Sequence, residues 1–158
     1  MRPMRAILML LLAGVLSSAG DGPLDRATLR GLKAIGVVID PLDAELEREG
    51  LSGEALQTQV EQRLQAAGIP IDKNAVEFVG LKIMGAQAKR TPVALCLDLG
   101  LYQPVILSRD KEIRTATETW GTHSVLLAQP RQVSQSSAET VDQLVQQFVD
   151  AYRSANPK

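Results

Sequence analysis

One histidine, one cysteine and a run of acids are the residues of this 158-residue chain whose types could support chemistry. His123 is the sole imidazole, so a general base, a triad or a metal centre would have to combine it with carboxylates from elsewhere in the chain. Its surroundings, Trp120-Gly121-Thr122-His123-Ser124, lack ligand spacing, and an ordinary strand histidine is expected. Cys96 would need a cation or a helix N-terminus beside it to ionise near neutral pH. Its neighbours Leu95 and Leu97 supply neither, so a buried structural thiol is expected. Asp40, Asp43, Glu45, Glu47 and Glu49 could offer oxygen ligands to a hard cation, but they lack the glycine turn of a calcium loop. They read as a solvated helical turn over residues 42–48, with Leu42 and Leu46 touching the domain. The scattered glycines open no phosphate-binding turn, and no Gly-x-Ser-x-Gly elbow is present. No catalytic, cofactor-binding or metal-binding residue is therefore assigned, no cofactor is expected, and the chain reads as a non-enzyme.

The first twenty residues give a location instead. Arg2 and Arg5 precede an apolar run over residues 6–16, followed by Ser17 and Ala19 at cleavage-compatible spacing, which is the pattern of a signal peptide over residues 1–19. The run is shorter than the roughly 20 residues needed to cross a bilayer. Cys96 is too far away to be an acylated lipoprotein cysteine, so a periplasmic or secreted product with no membrane span after cleavage is expected. With Arg2 and Arg5 gone, 17 basic residues become 15 against 18 acidic ones, a formal charge of −3 that disfavours nucleic acid as a partner.

The elements that must position these side chains follow from periodicity. Residues 20–28 carry little to bury and read as a flexible linker, with a single domain over residues 29–158. Residues 34–39 (AIGVVI) form a short β-branched run stopped by Asp40-Pro41, as an interior strand would be. Ser52 is placed to cap a helix whose Leu56, Val60 and Leu64 recur every four residues, with Gly68 as its stop. The pattern then alternates in three strands over residues 76–84, 92–107 and 115–128, joined as a meander through polar loops at 85–91 and 108–114. In the middle strand Val93, Leu95, Leu97, Leu99 and Leu101 point one way, and Pro104 implies a bend, a bulge or an edge. Ser136 and Glu139 have capping-box spacing ahead of a last helix carrying Val141, Leu144, Val145, Phe148, Val149 and Tyr152. The result is an α+β class, a single β-α-β-β-β-α sandwich with a mainly antiparallel sheet and two helices on one face. The other face would carry Cys96, Asp98, Tyr102, Thr115, Thr117, Thr119 and His123, and reads first as an ordinary solvated sheet face and second as one able to accept another protein's strand.

GVVIDPL (residues 36–42), the helix stretch over 50–69, QPV (103–105), TATETW (115–120) and FVDAYRSANPK (148–158) together resemble an uncharacterised family of small exported bacterial proteins. The order of elements is similar to the small α/β domain of lipopolysaccharide-transport lipoproteins, of curli-secretion lipoproteins and of the N-terminal part of the Tol-Pal propeller protein. That resemblance implies assembly and protein contact rather than catalysis. The expected function is an exported adaptor domain whose partner is another cell-envelope protein. The alternative is a carrier of a small apolar ligand or lipid held between sheet and helices.

Overall fold

The structure, a computed structural model, describes residues 20–86 and 92–157. The expected signal peptide over 1–19 and most of the loop expected over 85–91 lie outside the described residues. In chain order the elements are α1 (Pro23–Ala27), β1 (Gly36–Ile39), α2 (Ala44–Arg48), α3 (Gly53–Ala66), β2 (Phe78–Ala86), β3 (Val93–Leu107), β4 (Asp110–Ala128), a 3-10 turn (Pro130–Gln132) and α4 (Val133–Ala155). The four strands form one sheet in the order β1-β2-β3-β4. β1 runs parallel to β2, and β2, β3 and β4 form the expected antiparallel meander.

α3 and α4 cover one face of this sheet. Ser52 Oγ accepts from the Ala55 amide at 3.3 Å, satisfying one of the orphan donors of the first turn of α3. Its last turn closes through Gly68, whose φ of +83° lets Gly68 donate to Gln65 and Ile69 donate back to Leu64. Leu56, Val60 and Leu64 are buried as the four-residue spacing requires. Buried on the covered face are Val79, Leu81 and Ile83 of β2 and the odd-numbered residues 93–101 of β3, and α4 packs on β3 and β4. Trp120 of β4 packs edge-on against Phe148 at 5.2 Å. These side chains form one contiguous buried cluster between the layers. Among the described residues no helix is long and apolar enough to cross a membrane.

Three details depart from the sequence expectations. Residues 20–28 are not a loose linker: they contain α1, and Asp21 accepts hydrogen bonds from Trp120 Nε1 at 2.6 Å and from Arg26 Nε at 2.7 Å. A buried indole needs an acceptor, and this carboxylate supplies it. α4 begins at Val133 rather than at Ser136, because the turn at Pro130 starts the coil and burial of Val133 and Ser137 carries the core-facing stripe back another turn. Ser136 thus sits inside the helix, where its carbonyl accepts from Thr140. Finally, residues 108–114 are not a long loop. β3 and β4 meet in a tight turn after Leu107, and beyond the reach of β2 they project as a two-stranded arm.

Candidate functional site

Among the described residues no element covers the second face of the sheet, which is ordered in rows by strand register. From one end these are Phe78 with Tyr102, then Gly80-Gly100-Gly121, Lys82-Asp98-His123, Met84-Cys96-Val125 and Ala86-Ala94-Leu127. Each row follows from the two-residue period of antiparallel strands, so the alternation that buries Leu97 and Leu99 also sets Cys96, Asp98 and Tyr102 outward. The last two rows are apolar, and Val125 and Leu127 are 69% and 71% exposed.

The three aligned glycines make the face concave. A Cβ at Gly80 would lie 2.9 Å from the Tyr102 ring, and one at Gly100 would lie 2.5 Å from Glu118 Oε2. The same carboxylate lies over Gly121. Tyr102 stacks on Phe78 at 5.2 Å and donates its hydroxyl to Glu118 at 3.3 Å. Burial, then the adjacent Glu118 charge, pushes the Tyr102 phenol up and keeps it a donor. The resulting trough, of about 530 Å³, is lined by Asp40, Lys82, Asp98, Glu118 and His123 among others.

Glu118 was not on the expected face. Leu101 pairs with Trp120 but Tyr102 pairs with Glu118, so Thr119 is an extra residue, a bulge that reverses the facing of everything before it. Thr115 and Thr117, expected beside His123, pair with Val105 and Gln103 and fall on the other side, while Thr119 donates to Gln103 Oε1 at 2.6 Å. Pro104, beyond the bulge, was the only signal of irregularity in the sequence.

The lone histidine and cysteine do share this face with acids. His123 stands across from Asp98, and the Cys96 thiol donates to Asp98 Oδ2 at 3.8 Å. Among the described residues no hydrogen bond joins His123 to Asp98, Glu118 or Cys96. Cys96 lies on the outer face, as the alternation implies, but is half-buried rather than the buried thiol expected. Burial, reinforced by the Asp98 charge, pushes its thiol up and away from the reactive thiolate. Of the acidic run, Asp40 alone lines the trough; Asp43 precedes α2, and Leu46 is buried beneath it, as a solvated helical turn implies. Among the described residues no group of three or more His, Cys, Asp or Glu side chains is placed to hold a metal.

The motif residues have visible structural tasks. Phe148, Tyr152 and Asn156 lie one turn apart: Phe148 fills the core, and the Tyr152 hydroxyl donates to the Leu32 carbonyl at 3.3 Å. The Asn156 amide donates to Leu29 at 3.0 Å and accepts from Gly31 at 2.8 Å. Gln103 donates to Glu77 at 3.0 Å, and Trp120 is tied to Asp21.

No family model and no curated protein matches the chain. Among solved structures it is similar to a dodecameric point variant of PelC from Paraburkholderia phytofirmans, with 12% identity over 76% of this chain and 86% of that one, at a TM-score of 0.41. It is also similar to a minor lipoprotein from Acinetobacter baumannii, with 18% identity over 75% of this chain and 91% of that one, at a TM-score of 0.34.

Proposed function

We propose that this chain is a non-enzymatic adaptor domain of the cell envelope, exported by its N-terminal segment, which binds another envelope protein on the uncovered face of its sheet. The observation that carries this reading is the composition of that face: a glycine-floored trough with acidic walls lies beside exposed Met84, Val125 and Leu127. An apolar patch next to placed charges suits recognition of a protein surface. The residues of the family resemblance are occupied in holding the fold, and the observations on the open face favour a protein partner over an apolar ligand held between sheet and helices. A hydrolytic reading would draw on His123, Asp98 and Glu118 in one trough, but among the described residues no hydrogen bond joins His123 to either acid.

The test is quantitative co-purification from envelope extracts with a tagged chain. Lys82→Glu combined with Met84→Glu should cut recovery of one envelope protein about tenfold or more, a loss of about 1.4 kcal/mol of binding. Gln143→Glu, on the exposed side of α4, should leave recovery unchanged. A set of recovered proteins identical for all three chains would contradict the proposal, as would turnover of an ester or peptide substrate that His123→Ala abolishes.

A further inference from the structure

We propose that the free edge of β4 pairs with the same edge of a second copy of this chain, antiparallel about a two-fold axis at Val125. The Gly121 amide donates to the Gly20 carbonyl at 3.0 Å, outside the sheet, so the backbone groups of Gly121 point away from β3. Backbone groups alternate in direction along a strand, and the β3–β4 register is unbroken from Gly121 to Ala128. The N–H and C=O groups of His123, Val125 and Leu127 therefore face the open edge as well. Gly20 closes this run at one end, and at the other Pro130, which has no N–H, turns the chain toward α4. Among the described residues nothing pairs with the outward groups over residues 122–128, and the midpoint of that stretch is Val125.

Antiparallel pairing about that midpoint sets Val125 against the second copy's Val125, and His123 against the second copy's Leu127. Every residue with outward backbone groups then meets another, and each such pair exchanges two hydrogen bonds.

The side chains favour a second copy as the occupant. The arm half of β4 carries Asp110, Lys111, Glu112, Arg114 and Glu118, charges of the kind that keep edges from pairing. From Thr119 to Ala128 there is no Asp, Glu, Lys or Arg, so self-pairing opposes no like charges. The apolar row Met84-Cys96-Val125 would continue through the axis into the same row of the second copy. About seven residues a side, against the 20–30 of a standard interface, make this a weak dimer that forms with concentration. The pairing test perturbs only β4, whereas the test of the adaptor reading perturbs Lys82 and Met84 of β2, so the failure of one is distinguishable from the failure of the other.

The protein as isolated should shift from monomer to dimer in sedimentation velocity between about 1 µM and 1 mM. In a Cys96→Ser background, Val125→Cys should form a disulfide dimer under mild oxidation, because opposed residues of a hydrogen-bonded pair have Cα atoms about 5.5 Å apart. Leu127→Cys alone should not, whereas mixing it with His123→Cys should restore cross-linking. Val125→Pro removes only an outward N–H and should weaken association about tenfold or more with an unchanged melting temperature. Leu127→Lys should do the same if the proline variant does not fold. A monomer at every concentration would overturn the inference. So would equal cross-linking of Val125→Cys and Leu127→Cys, or disulfides formed only with a different protein.

Discussion

Removing the carboxylate of Asp21 should destabilise the whole domain, although the residue lies in a segment whose composition reads as a linker. Trp120 is only 1% exposed, and its indole N–H has the Asp21 carboxylate as acceptor at 2.6 Å. In Asp21→Ala that donor is left unpaired in the interior, which costs about 1–3 kcal/mol. The ion pair with Arg26, at 2.6 Å but on a side chain 41% exposed, adds at most about 1 kcal/mol. A total of about 1–4 kcal/mol is expected, or a melting temperature lower by about 3–14 °C. Urea unfolding followed by fluorescence is the assay, because Trp120 is the only tryptophan of the chain and reports on its own lost partner. The midpoint should fall with an unchanged slope.

Acid should erase the difference. Burial alone would raise the Asp21 carboxyl, but hydrogen bonds from Arg26 and Trp120 outweigh it and hold the group below its usual 3.8. A depressed carboxylate contributes stability above its unfolded value and loses it as pH falls through the folded one. The gap between the native protein and Asp21→Ala should therefore be full at neutral pH and close progressively below 3.8. A gap under about 0.5 kcal/mol at pH 7, or one that persists undiminished into strong acid, would refute the reasoning.

Leu97→Asp places a charge among side chains closed to water, and should abolish the cooperative melting transition or lower it sharply, since that cost approaches the stability of a whole domain. An unchanged melting curve would mean that the strand faces the other way. Phe148→Ala should cost about 3–5 kcal/mol, because the ring is fully buried against Trp120; calorimetry showing less than half of that would make the contact peripheral. Among the described residues the buried Ser137 hydroxyl has no hydrogen-bond partner. Ser137→Ala should raise stability by about 1 kcal/mol in urea unfolding, and a loss would show that the hydroxyl is satisfied after all.

The scaffold was legible because its signals are local. Five alternating aliphatic residues from Val93 to Leu101 define the buried face of β3, and Ser52 with Gly68 brackets α3 to within a residue. The shape of the outer face was less accessible. One extra residue at Thr119 replaces two threonines with Glu118 beside the glycines, and a bulge leaves no periodic trace when both phases are polar. The alignment of Gly80, Gly100 and Gly121 depends on the register of three strands, which no single strand encodes. Asp21 was misread for a related reason: its partner Trp120 is ninety-nine residues away, and local composition shows only a small polar segment.

The most direct measurement of the account is in-cell photo-cross-linking with a photoreactive residue placed at Lys82 on the open face, or at Gln143 on the exposed side of α4. Cross-links from Lys82 to one defined envelope protein, with none from Gln143, are the predicted result. Silence at Lys82, or the same adducts from both positions, would contradict the claim that the uncovered sheet is where this protein works.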